Sequence, residues 1–109
     1  VEEAVAEVGS LGGLAIPAHV DRPVYSLLSN LGFIPPDLGV PALELSVRTT
    51  PAQARERFPA LRQWTLFCDG DAHRLEEMQN RTMFKIERPT IAELRLAFMG
   101  QAGRKVVVE

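Results

Sequence analysis

Two short stretches of this sequence hold the side chains best suited to chemistry. One is His19-Val20-Asp21, and the other is Asp69-Gly70-Asp71-Ala72-His73. Between them they contain both histidines of the chain, each with a carboxylate two positions away. In extended backbone, residues i and i+2 point the same way. His-x-Asp and Asp-x-His can therefore each aim two ligands at one point. Imidazole and carboxylate suit borderline cations such as Zn²⁺, Mn²⁺ or Fe²⁺. A cation held there would polarise a phosphoryl oxygen or lower the pKa of a water. Each residue also has a plainer reading. Asp71 could cap a turn over residues 72–79. His19 could be a buried imidazole satisfied by backbone, and Glu44 could face solvent at a sheet edge. Both readings stay open at the level of spacing.

These residues need elements to position them. Leu14-Ala15-Ile16-Pro17-Ala18 reads as a short strand whose continuous apolar run suits a sheet covered on both faces. Ala42 to Ser46, Trp64 to Cys68 and Thr82 to Ile86 read as three more strands, and Val106 to Val108 as a closing strand or a frayed tail. Helical stripes run through Val1, Ala4, Val5 and Val8, then through Val24, Leu27, Leu28 and Leu31. Pro23 suits the start of the second helix and Gly32 its end. The first helix begins abruptly at residue 1, which predicts a longer parent chain. Thr50-Pro51-x-Gln53 is a capping box opening a helix that runs to about Phe58. Thr90 and Glu93 form a second capping box, before a stripe of Ile91, Leu94, Ala97 and Phe98 that Gly100 ends. Phe33 to Pro41 contains three prolines and reads as a rigid loop. Alternating strands and helices predict an α/β fold with a mostly parallel sheet and flanking helices. Ligands of such folds bind beyond the C-terminal ends of the strands. Both histidines, Glu44 and Ser46 fall there.

Composition sets the outer bounds. The 109 residues suit one domain, with 46% hydrophobic and 24% charged residues as in ordinary globular chains. Twelve Lys and Arg against fourteen Asp and Glu give a net charge of −2. This is not the strongly basic field of a nucleic-acid-coating protein, so no stable nucleic-acid complex is expected. No apolar run approaches the length of a membrane span. Cys68 is the single cysteine, so no internal disulfide can form, and a cytoplasmic setting is expected. Within a strand, its thiol is expected to act as a small hydrophobe.

In order and spacing, these segments resemble the PHP (polymerase and histidinol phosphatase) family. Gly12-Gly13-Leu14-Ala15-Ile16-Pro17-Ala18-His19-Val20-Asp21-Arg22-Pro23 looks like its third motif, and Asp71-Ala72-His73 like its fourth. Phe33 to Leu38, Ala42 to Ser46, and Arg88-Pro89-Thr90 with Glu93-Leu94 are also similar to bacterial PHP-type phosphoesterases. The resemblance implies part of a distorted (β/α)₇ barrel with divalent metals (Zn, Mn or Fe) at its C-terminal rim. It implies hydrolysis of a phosphomonoester or nucleotide by metal-activated water, with a phosphorylated small molecule or nucleotide as partner. His19, Asp71 and His73 would be the catalytic metal ligands, with Glu44 or Asp21 as the next candidates. Arg22 would bind the phosphate, since a planar guanidinium donates in pairs; its plainer reading is a solvated charge at a helix N-terminus.

The departures carry equal weight. The family's first motif, a His-x-His pair, is absent, and so is the second. Gly70 stands where a serine is common before the aspartate. The chain therefore reads as the C-terminal portion of a PHP-like domain. Three ligands can hold one zinc but cannot build a multinuclear site. The expected activity is that of a fragment, incomplete by itself and with the metal itself open to absence. Half a barrel leaves open sheet edges that invite pairing with another copy. The alternative function is a non-catalytic half-domain acting as a binding or oligomerisation module.

Overall fold

Helices and strands follow one another through the computed structural model, which describes residues 1–23 and 26–109. The helices are α1 (Glu2–Ser10), α2 (Leu27–Leu31), α3 (Pro51–Arg57) and α4 (Ile91–Met99). The strands are β1 (Leu43–Leu45), β2 (Leu66–Cys68), β3 (Thr82–Lys85) and β4 (Lys105–Val108). Single 3₁₀ turns occupy Pro59–Leu61 and Leu75–Glu77. Val24 of the expected second stripe lies outside the described residues.

Local sequence rules account for most helix ends. Thr50 accepts a hydrogen bond from Gln53 N, Gln53 returns one to Thr50 N, and Pro51 opens α3. The start of α2 is set by Ser26 rather than Pro23. Ser26 and Ser29 cap each other's backbone reciprocally, and Gly32 ends the helix in the left-handed region at φ 76°. Thr90 caps α4 through Glu93 N. Glu93 does not complete the expected box, because its carboxylate accepts from Glu87 N and from Arg104 instead. Of the expected α4 stripe, Ala97 and Phe98 are buried, whereas Ile91 is 43% exposed.

β1 and β2 pair in parallel, Leu43 opposite Leu66 and Leu45 opposite Cys68. Their alternation divides the core in two. Leu43, Leu45, Leu66 and Cys68 face one cluster with Val20, Leu61 and Ala54. The proline-rich loop adds Ile34, Leu38 and Val40 to that cluster. Ala42 and Phe67 face the other, against Phe98. Phe67, Phe84 and Phe98 pack at 5.2–6.5 Å between ring centroids. Each fully buried Leu or Val contributes about 1.5–3 kcal/mol.

The stretch 14–18 runs beside β1 without forming a regular strand. Glu44 N donates to Pro17 O at 3.0 Å, and Val20 N donates to Glu44 O at 2.9 Å. That is the parallel pattern with one residue too many between the bonds. His19 takes up the excess at φ 30°, and Pro17 has no N–H to add.

The remaining pair departs from the expected parallel sheet. β3 and β4 are antiparallel, with Thr82 opposite Val108 and Lys85 opposite Lys105. Arg104, just before β4, makes ion pairs with Glu87, just after β3, at 3.0 Å and with Glu93 at 2.9 Å. These bonds tie the start of β4 to the end of β3, where the antiparallel register sets them side by side. Thus Val106–Val108 belongs to a closing strand, but one that runs against its neighbour. Thr82 joins the two sheets: its hydroxyl accepts from Cys68 N at 3.0 Å and donates to Cys68 O at 2.6 Å.

A candidate functional site at the strand ends

The ends of the 14–18 stretch, β1 and β2 carry His19, Glu44 and the segment 69–73 respectively, as the strand-end rule requires. Two of these residues hold unusual backbone. His19 (φ 30°) and Asp71 (φ 48°) both sit in the positive region, which disfavours non-glycine residues. Such conformations gather at functional sites. A cleft of about 430 Å³ opens there, lined by Glu44, Asp69, Asp71 and His73 and flanked by Met78 and Gln79. That volume suits a small ligand or one end of a larger one.

Each side chain has a distinct setting. Glu44 is half-buried. Burial pushes its carboxyl above the ordinary range, the Asp69 and Asp71 charges add to the rise, and His19 opposes it. It can hold or release a proton nearer neutrality than a free glutamate. His73 is exposed, and its Nδ1 lies 2.8 Å from Asp71 O. A carbonyl only accepts, so Nδ1 is the donor in this contact. His73 N donates to Glu77 Oε2 at 2.8 Å, which fixes the 3₁₀ turn beneath it. His19 Nδ1 is buried with no hydrogen-bond partner, so the backbone-satisfied alternative does not describe that nitrogen.

Asp71 does not cap the following turn through its carboxylate. Asp71 Oδ2 is paired with Arg22 Nη2 at 3.2 Å. The arginine expected to meet phosphate therefore neutralises a carboxylate at the mouth of the cleft. Asp21 is drawn into the scaffold. It is 6% exposed and accepts from Ser46 N at 2.6 Å, Ser46 Oγ at 2.5 Å and Thr49 Oγ1 at 2.6 Å. Burial would raise its pKa, but the Ser46 and Thr49 hydrogen bonds outweigh it and hold the carboxyl below its ordinary range. Asp21 is thus no spare ligand.

The sequence did not single out Met78 or Gln79 as flanks of the cleft, nor Ser46 and Thr49 as partners of Asp21. The only available signal for the last two was their hydroxyls after a strand that ends beside His-x-Asp.

A divalent cation does not fit these residues as arranged. Among the described residues, no group of three or more His, Cys, Asp and Glu side chains is placed to hold a metal ion. The Asp71 carboxylate faces the Arg22 guanidinium instead. Among the described residues, no helix is long and apolar enough to cross a membrane.

No protein-family model matches the sequence, and no curated protein matches it. Among solved structures, the chain is similar to the crystal structure of the lesion-specific endonuclease PfuEndoQ from Pyrococcus furiosus, with a TM-score of 0.74 and 26% identity. The similarity covers 96% of this chain and 28% of that one, so nearly all of this mixed α/β fold corresponds to about a quarter of an endonuclease.

Proposed function

We propose that this chain is the part of a PHP-type phosphoester hydrolase that carries its third and fourth motifs, and that its substrate is nucleic acid. The observation that carries the reading is that Asp71 and His73 line a strand-end cleft with Glu44 while Arg22 pairs with Asp71, in a chain similar over 96% of its length to an endonuclease. Phosphodiester cleavage needs a group to activate water and cations to steady the phosphoryl oxygens. Glu44 is the proton-handling group, and Arg22 is the guanidinium at the mouth. His19, Asp71 and His73 are the donors this chain brings toward a metal centre. They do not converge, so a metal-dependent centre requires donors beyond these 109 residues. The phosphorylated small molecule expected from the sequence is replaced as substrate by nucleic acid. The near-neutral charge argued against a stable nucleic-acid complex, and the cleft's own carboxylates supply no basic field, so the nucleic-acid reading is carried by the similarity to the endonuclease.

The experiment is a cleavage and binding screen. Labelled duplexes, each with one lesion (abasic, deaminated or oxidised), are compared with an undamaged duplex and with a small phosphomonoester, with and without Mn²⁺. Expected is preferential binding of a lesion duplex, with any nicking abolished by His73→Ala. Turnover of the phosphomonoester without recognition of any duplex would overturn the nucleic-acid reading.

A further inference from the structure

The β3–β4 ribbon has one covered face and one open face. Phe84, Val106 and Val108 turn inward onto the cluster of Phe67 and Phe98. The open face presents Met83 opposite Val107 and Lys85 opposite Lys105. Both lysines are exposed, and Met83 and Val107 are 47% and 38% exposed. Like charges directly opposite on paired strands repel and cost stability. No salt bridge among the described residues relieves either lysine. Glu87, the acid just past β3, is held by Arg104 at 3.0 Å. Glu109 lies at the opposite end of the ribbon, where its N–H donates to Arg81 O. In a chain of net charge −2, two facing lysines are not the by-product of a general positive excess.

We propose that this open face docks on the phosphodiester backbone of nucleic acid, with Lys85 and Lys105 each meeting a phosphate. The proposal rests on the nucleic-acid reading above and adds a second contact surface to it. A two-stranded antiparallel ribbon is a shape that the major groove admits. An ammonium on a flexible stem meets a phosphate as a point charge. The anion supplied by the ligand removes the repulsion that the isolated fold retains. The ribbon is also tied to the end of β2, since Thr82 bonds both backbone groups of Cys68. Lys85 lies three strand steps from Thr82, about 10 Å. This matches the rise of about three base pairs along the duplex axis.

The test is equilibrium binding of an undamaged duplex of about 20 base pairs as a function of salt. Wild type is compared with the Lys85→Gln/Lys105→Gln double variant and with Arg62→Gln, an exposed arginine elsewhere. The expected result is a salt slope lowered by about 1.8 in the double variant, at roughly 0.9 per phosphate, and unchanged in Arg62→Gln. Thermal melting checks the fold independently. The double variant is expected to melt no lower than wild type, and Lys85→Glu higher, because opposite charges then face each other. Duplex binding with an unchanged slope in the double variant overturns this proposal alone. Failure of wild type to bind any duplex, damaged or not, overturns it together with the nucleic-acid reading. Equal binding of poly-glutamate through the same lysines also overturns it, and makes the face a dock for an acidic protein.

Discussion

Arg22 and Asp71 meet across the mouth of the cleft, Nη2 to Oδ2 at 3.2 Å, and so join two motifs that stand 49 positions apart in sequence. Both side chains are about two-fifths exposed (43% and 38%), which makes the pair a weak brace and a strong electrostatic setting. Arg22→Gln is expected to change stability by less than about 1 kcal/mol. It leaves Glu44, Asp69 and Asp71 facing one space without a guanidinium. Calorimetric titration with Mn²⁺ or Zn²⁺ is expected to show binding several-fold tighter in the variant than in wild type. Equal affinities would mean that the guanidinium does not compete for Asp71.

Asp21 is the opposite case, a carboxylate whose role is structural. Asp21→Ala removes three short hydrogen bonds and leaves Ser46 and Thr49 donors without an acceptor. The expected loss is roughly 2–4 kcal/mol, read by chemical denaturation. The pH dependence follows from the direction of the shift. The folded carboxyl titrates below its ordinary value of 3.8, so the unfolded chain takes up the proton first. Its contribution is complete above the unfolded pKa and is lost as pH falls through the folded one. Asp21→Asn should flatten the acid limb of the stability curve.

Gly70 accounts for a departure noted in the sequence. A Cβ at this position would lie 2.7 Å from Glu77 O. A serine or alanine must therefore push away the turn whose Glu77 carboxylate holds His73 N. Gly70→Ala is expected to cost about 1–3 kcal/mol and to shift the His73 ring resonances in NMR spectra. An unchanged spectrum and melting temperature would mean that the turn yields freely.

Glu93 anchors the antiparallel ribbon. Hydrogen bonds from Arg104, then from Glu87 N, bring its carboxyl down to about 2 from an ordinary value of 4.5. Stability from this group is present above the unfolded value and declines as pH falls from about 4.5 toward 2. Melting temperatures measured across that range should fall less in Glu93→Gln than in wild type. Arg104→Lys should resemble Glu93→Gln, since an ammonium cannot bond both carboxylate oxygens in the paired geometry.

Elements specified by local chemistry were legible in the sequence. Thr50, Pro51 and Gln53 name the start of α3, and the alternating apolar runs place β1, β2 and β3 within two residues. Of the residues the strand-end rule gathered, Glu44, Asp69, Asp71 and His73 line one cleft, and His19, Asp21 and Ser46 are not among its lining residues. What the sequence hid depended on partners far away in the chain. Glu93 looks like a capping residue until Arg104 claims it, and Arg104 also pairs with Glu87 at the end of the antiparallel ribbon. Asp21 looks like a ligand until Ser46 and Thr49 surround it. The expected partial barrel needs more than the two paired sheets present here, one parallel and one antiparallel.

The supernumerary residue beside β1 acts as a sorting device. Glu44 bonds Pro17 on one side and Val20 on the other, so the ladder skips two residues where regular pairing skips one. Strand side chains alternate, and one extra position exchanges inward for outward in everything that follows. The extra residue absorbed at His19 gives an imidazole and a carboxylate only two positions apart different surroundings: Asp21 bonds Ser46 and Thr49, whereas His19 Nδ1 is buried without a hydrogen-bond partner. A deletion of one residue here would leave the composition of the motif almost intact and undo its division of labour.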